Sequence, residues 1–420
     1  MSPRIPRPIL AAFMTVPLLA ASLPLSKPED VGLSTERLKR IHPLIQSHIE
    51  AKDFAGAVTL VARRGKVVHL EAHGQMDLES NKPMRPDTLF RMASMTKPVT
   101  AVAILMLLEE QKLLLTDPVS KYVPEFKNPK VAVWNLPNDP RGAGIRTAPA
   151  DREITIQDLL THTSGLANGT EGPAGEFVRR ANLPQGGSLD ERVKRLAGLP
   201  LNFQPGTQWE YSPSTGFDTL GRIVGILSGM SLERFFQRRI FEPLGMQDTF
   251  FTVPQDRRAD VAALYNKGDQ GLSKTPAAAP LAPDVEYFSG SGGLTGSAQD
   301  YFQFCQMLLN GGQGNGTRLL SRKTVELMTE NAIGNLDLRN YLEGGQNLRG
   351  YGFGLGVRVR RSTGASGWLG SVGDFGWAGA NGTYFWIDPK EQLIGMVLMS
   401  TRVLRLRSEF PNAVYGAFTD

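Results

Sequence analysis

Apolar and polar residues alternate along GAVTLVARRGKVVHLEAHG (56–74) on either side of Arg64-Gly65. A period of two broken by a glycine-containing turn predicts a β-hairpin. The stretch TKPVTAVAILMLLEEQKLL (96–114) is instead apolar almost all round until Glu109 and Glu110. That pattern predicts a helix packed on every side, and Pro98 suits its first turn, where no amide donor is needed. From about 115 to 286 the chain changes to loops rich in proline and glycine with helical stretches. Examples are ITIQDLLTHTSGL and STGFDTLGRIVGILSGMSLERFFQRRIFEPLG, the second interrupted by Gly216, Gly221, Gly225 and Gly229. A further helix is expected around 298–311. Strands are expected at YGFGLGVRVR (351–360), TYFWIDP (383–389) and QLIGMVLMST (392–401), with the turn DPKE joining the last two.

Strands at both ends of the chain with helices between them predict an α+β fold. Residues 27–114 and 287–420 form one lobe with an antiparallel sheet flanked by helices; residues 115–286 are inserted as a mostly helical second lobe, with a cleft where the two meet. A length of 420 residues agrees with two lobes. The loops 127–150 and 167–190 are the expected rims of the cleft.

The first 26 residues stand apart. Arg4 and Arg7 precede an apolar run from Ile9 to Ala21, and small residues follow at Ala20, Ala21 and Ser22. The run is shorter than the ~20 residues of a spanning helix and is broken by Pro17, so it reads as a cleavable secretory signal. A periplasmic or secreted location follows from that reading; a disordered extension on a cytoplasmic protein is the alternative. No stable membrane insertion is expected. The single cysteine, Cys305, excludes an intramolecular disulfide and sits in an apolar helical pattern as a small buried hydrophobe. The net charge of +5 is spread along the chain, and its short clusters ARRG and RVRR are not nucleic-acid arms. They read as a hairpin turn and the solvent face of a strand, and no nucleic-acid partner is expected.

One position resists this pattern. In RMASMTKPVT (91–100) Lys97 sits at the start of the apolar helix, where an ammonium is costly unless its pKa falls or it finds a partner. Residues at i and i+3 of a helix share a face about 5 to 6 Å apart, which makes Ser94 and Lys97 neighbours. At a helix N-terminus a desolvated lysine, moved down from about 10.4, can take the proton of a serine hydroxyl. An S-x-x-K tetrapeptide is common by chance, and a capping serine beside a solvated lysine is the bland alternative.

Other stretches decide between the two. KPEDVGLSTERL (27–38), DTLFRMASMTKP (87–98), LLTHTSGL (159–166), PGTQWEYSPSTGFDTLG (205–221), FEPLGMQDT (241–249), SGGLTGSAQDY (291–301) and GWAGANGTYFWIDP (376–389) follow in that order. With them the chain resembles the serine β-lactamase and penicillin-binding-protein superfamily, most closely the family VIII carboxylesterases, which look like class C β-lactamases. The resemblance covers nearly the whole chain beyond the leader. It implies Ser94 as nucleophile, Lys97 as its proton partner and Tyr211 as a general base, held as phenolate or sharing a proton with Lys97. It also implies an oxyanion hole made by the backbone amides of Ser94 and of Ala380, on an edge strand after W-A-G.

Two departures from the superfamily bear on substrate. Pro213 stands two residues after the tyrosine, where an asparagine is usual. Trp377-Ala378-Gly379 replaces the K-T-G or H-x-G that supplies a cation for a substrate carboxylate. Trp377, Ala378, Gly379 and Pro213 are thus expected to line a site without formal charge that favours short neutral esters over anionic β-lactams. The G-x-S-x-G elbow of α/β-hydrolases is absent, and the resemblance makes His162 a hydrogen-bonded packing residue. With five histidines and no H-E-x-x-H, neither a metal nor a cofactor is expected. Acyl transfer from the same acyl-enzyme, a β-lactamase or D-amino-acid peptidase, and an inactive penicillin-recognising binding protein remain open alternatives. The oligomeric state is not read from the sequence.

Overall fold

Arg64 (φ +51°) and Gly65 (φ +74°) close the first hairpin, between β1 (Gly56–Arg63) and β2 (Lys66–Asp77), in the left-handed region that two-residue hairpin turns require. The computed structural model of the chain describes residues 23–135, 144–167, 172–181, 187–276, 287–338, 342–343 and 346–420. Residues 1–22, most of the expected secretory signal, and parts of the loops 127–150 and 167–190 lie outside them. β2 continues to a short β3 (Lys82–Pro83), and the remaining strands of this sheet come from the other end of the chain. These are β4 (Tyr351–Phe353), β5 (Arg358–Arg360), β6 (Phe375–Ala378), β7 (Tyr384–Asp388) and β8 (Leu393–Met399). The order is β4-β5-β6-β7-β8-β1-β2-β3, antiparallel throughout, with Ala57 opposite Met399 and Arg63 opposite Leu393.

β1 is buried along its whole length because helices cover both faces of the sheet. On one face, Ala57, Val61, Trp386 and Val397 pack with Ile41 and Ile45 of α1 (Ile41–Glu50) and with C-terminal Leu406 and Phe410. On the other, Val58, Leu60, Phe385 and Met396 meet α2 (Thr96–Glu109) and the core of the inserted helices. Twelve of the fourteen residues of α2 are buried, as its all-round apolar pattern predicts. It ends at Glu109 rather than 114; Gln111 turns into the left-handed region at φ +58°. Next to it lie α3 (Ile156–Thr161) and α4 (Thr215–Ser228), which Gly229 terminates at φ +68°. α5 (Ala298–Leu309) carries the buried Cys305.

Three expectations are corrected. YGFGLGVRVR is not one strand but the hairpin β4–β5, because Gly354 N–H bonds Val357 O (2.8 Å) and Gly356 takes φ +83°. Two of the three arginines of RVRR do not line a solvent face: Arg358 and Arg360 are buried, and Arg361 is exposed. Arg360 Nε donates to Asp374 (2.6 Å), and Arg358 donates to Tyr384 Oη (2.6 Å). Residues 115–286 also hold two hairpins that the helical reading missed, Lys130–Trp134 with Ile145–Pro149 and Tyr265–Gly268 with Gly271–Lys274.

Candidate active site

A turn of 3₁₀-helix, Ala93–Met95, carries Ser94 into the first residues of α2. Its entry is held under strain, with non-glycine Ala93 at φ +46°. Hydrogen bonds surround this turn: Met92 N–H to Leu294 O (2.8 Å), Thr383 Oγ1 to Met92 O (3.1 Å) and Tyr301 Oη to Met95 O (2.8 Å). Backbone fixed from several sides leaves the serine side chain little freedom, which is what a positioned nucleophile needs.

The structure brings Ser94, Lys97 and Tyr211 together. Lys97 Nζ lies 3.1 Å from Ser94 Oγ, and Tyr211 donates its hydroxyl to the same oxygen at 2.6 Å. Lys97 is fully buried and also donates to the carbonyls of Pro213 (2.7 Å) and Ser291 (2.9 Å). A neutral amine has two N–H groups and one lone pair. With both N–H groups given to the two carbonyls, the lone pair is left for the Ser94 hydroxyl.

Desolvation drives Lys97 down to about 7, against a smaller upward pull from Asp218. That carboxylate, in α4, is buried and accepts from Tyr287 Oη (2.8 Å), Ser289 Oγ (2.7 Å) and Ser291 N–H (3.1 Å). It therefore anchors the very segment whose carbonyl holds Lys97. Burial pushes Tyr211 the other way, up to about 12, with smaller downward pulls from Ser94, Trp377, Arg407 and Arg402. Burial thus disfavours the phenolate, one of the two forms the resemblance allows for Tyr211, the other being a proton shared with Lys97.

His162 is buried and packs where expected. It closes α3 at φ +59°, accepts from Ser212 N–H at Nδ1 (3.3 Å) and sets its ring 4.8 Å from that of Tyr211. Desolvation, helped by the Lys97 charge, drives its pKa well below the usual histidine value, so it stays a neutral spacer.

The W-A-G segment differs from expectation. Trp377 is only 1% exposed; its ring lies 5.4 Å from Tyr211 and 5.1 Å from Phe353, so it backs the tyrosine instead of walling an open cleft. Alternation along β6 turns Ala378 to the opposite core layer, among Tyr384, Trp386 and Met399. Gly379 is where the strand end meets the serine turn: a Cβ there would stand 2.5 Å from Met92 O and 3.4 Å from Ala93 Cβ. Ala380 is exposed in the turn that follows, not on an edge strand. β6 lies inside the sheet, and its ladder with β5 ends at Gly376.

Pro213 is exposed and serves Lys97 through its carbonyl, a role that its missing side-chain amide does not reveal. The sequence reading also missed the charge nearby. Buried Arg407 donates to Gly379 O (3.1 Å), and with exposed Arg402 it lies within electrostatic reach of Tyr211. The expectation of a site without formal charge is corrected accordingly. Asp218 could have been noticed within the quoted YSPSTGFDTLG; Arg402 and Arg407 lie outside every quoted motif.

The family model described as Beta-lactamase matches residues 41–416. The chain belongs to the β-lactamase family. Protein Rv1367c of Mycobacterium tuberculosis is 39% identical to it over 318 residues, covering 75% of this chain and 77% of that one. Esterase EstB of Burkholderia gladioli is 34% identical over 284 residues, covering 62% and 67%. Among solved structures, EstCE1, described as a hydrolase with promiscuous acyltransferase activity, superposes with a TM-score of 0.74 at 27% identity, covering 91% of this chain and 98% of that one. The β-lactamase-family fold here is α+β, and no helix among the described residues is long and apolar enough to cross a membrane.

Proposed function

We propose that the chain is a serine carboxylesterase of the family VIII type, acting on short neutral esters through an acyl-enzyme on Ser94. The observation that carries this is a serine hydroxyl held between a buried lysine at about 7 and a tyrosine hydroxyl. Ser94 Oγ attacks the ester carbonyl while its proton passes to the Lys97 amine. The oxyanion of the tetrahedral intermediate is received by the amides of Ser94 and Ala380. The Lys97 proton then returns through Tyr211 to the departing alcohol, and water repeats the sequence on the acyl-enzyme. The likeness to Esterase EstB supports ester substrates.

Preference for neutral acyl groups rests on Pro213, which offers no amide, and on the absence of a lysine or histidine at Trp377. Arg407 is committed to Gly379 O, and the charge of exposed Arg402 is screened by water. We expect catalytic efficiency on p-nitrophenyl butyrate to exceed that on benzylpenicillin by at least about 10²-fold, roughly 2.7 kcal/mol. Measuring both on wild type and Ser94→Ala tests the reading. Full ester turnover by the alanine variant refutes the nucleophile; penicillin turnover equal to ester turnover refutes the specificity. Acyl transfer to an alcohol is the second reading, favoured by the description of EstCE1, and product analysis in the presence of added alcohol distinguishes it.

A further inference from the structure

Three of the five histidines gather on the half of the sheet remote from Ser94, four strands from β6 or about 19 Å at strand spacing. His69, Glu71 and His73 recur at every second residue of β2 and so share one face. Helix α1 covers that face, and its His42 sets a ring 5.5 Å from that of His73. His42 Nδ1 lies 2.6 Å from Glu71 Oε1, and His73 Nδ1 lies 3.8 Å from the same oxygen. The three atoms are all within 4.8 Å of one another.

The hydrogen bonds behind the cluster argue that it is more than a polar patch. The His73 side chain is 0% exposed, and its Nδ1 is buried without a hydrogen-bond partner. Its Nε2 lies 3.0 Å from Thr59 Oγ1, which also lies 2.7 Å from His69 Nε2. When His73 donates to Thr59 and Thr59 donates to His69, the Nδ1 of His73 carries a lone pair 3.8 Å from a carboxylate oxygen of Glu71. Two acceptors facing each other repel unless a proton or a cation lies between them. The cluster borders a surface cavity of about 480 Å³ lined by Thr35, Leu38, His42, Val68, His69 and Glu71, which gives an ion and its water a way in.

We propose that His42 Nδ1, Glu71 Oε1 and His73 Nδ1 form a binding site for a divalent transition metal ion, zinc being the type. Two nitrogens and a carboxylate oxygen are the donor set zinc accepts. Bonds of about 2.0 to 2.1 Å place ligand atoms about 3.3 Å apart on a tetrahedron, between the two separations seen here. Binding displaces the proton of His42 Nδ1 to solvent. Thr59 supplies the outer hydrogen bond that fixes the His73 ring. The fourth position faces the cavity and takes water. The ion clips α1 to β2 and takes no part in chemistry at Ser94.

Isothermal titration of untagged, chelator-treated full-length protein with Zn²⁺ tests this, with Co²⁺ absorption as a readout of tetrahedral geometry. One Zn²⁺ should bind per chain. His42→Ala and Glu71→Gln should each weaken it by at least about 10-fold while leaving hydrolysis of p-nitrophenyl butyrate unchanged. His42 is exposed, so its removal does not threaten the fold. Absence of saturable Zn²⁺ binding by the wild type overturns the proposal, as does binding of unchanged affinity in His42→Ala.

Discussion

Ester turnover should follow the deprotonation of Lys97, and Asp218→Asn is the perturbation that isolates it. Full burial holds the lysine at about 7 instead of 10.5. At about 1.4 kcal/mol per pH unit, the charged form is penalised by roughly 5 kcal/mol. About half of the molecules carry the neutral amine at pH 7 and roughly one in a hundred at pH 5, so kcat/KM should rise about tenfold per pH unit on the acid side and level off above 7. Tyr211, at about 12, contributes no second limb in this range. Asp218 pulls the lysine upward, so its replacement by a neutral amide of the same shape should move the acid limb to lower pH. The asparagine oxygen can keep the hydrogen bonds from Ser289 and Ser291 N–H, while its NH2 faces Tyr287 Oη, which must turn from donor to acceptor; this limits damage to the scaffold. The assay is the initial rate on p-nitrophenyl butyrate across pH 5 to 9, followed at the wavelength where nitrophenol and nitrophenolate absorb equally. A flat wild-type profile would refute the reasoning, as would an acid limb that stays in place or moves upward in Asp218→Asn.

The same burial makes Lys97 a stability defect: between about 7 and 10.5 the unfolded chain binds more protons, so the wild type should gain stability as pH rises through that window. Lys97→Met should abolish that slope and be the more stable protein at pH 6 in urea titrations; an unchanged slope would contradict the assignment. Tyr211→Phe should cost about 10²-fold or more in kcat/KM if the hydroxyl relays protons, against about fivefold for a lost hydrogen bond worth about 1 kcal/mol. Steady-state kinetics separate the two, and a fivefold loss would leave Lys97 as the whole proton machinery. Gly379→Ala should lower kcat/KM at least about tenfold, since its Cβ would meet Met92 O at 2.5 Å and push the serine turn. Wild-type rates in that variant would uncouple the strand end from the nucleophile.

Local pattern carried much of this structure, because hairpins and apolar helices are written in contiguous residues. The i, i+3 spacing of Ser94 and Lys97 is of that kind, and so is the turn at Arg64-Gly65. Tyr211 was reachable only through resemblance, since nothing in its own neighbourhood marks it as facing a serine 117 positions earlier. What escaped depends on partners distant in sequence or on which face of a strand a residue occupies. Arg360 reads as a solvent residue until Asp374 is seen beside it. Trp377 reads as a cleft wall until the pleat of β6 turns it beneath Tyr211. His42 sits 29 positions from Glu71, and only the packing of α1 on β2 brings them together.

The pairing of β1 with β8 has a consequence in time. Residues 57–63 find their partners only at 393–399, so the first hairpin leaves the ribosome long before the strand that covers its open edge. Gly379 and Thr383, which hold the Ser94 turn, belong to that late-arriving segment. Ser94 is therefore translated well before the segment that fixes its turn: a nascent chain that ends short of residue 383 carries the serine without the contacts that hold its backbone in place.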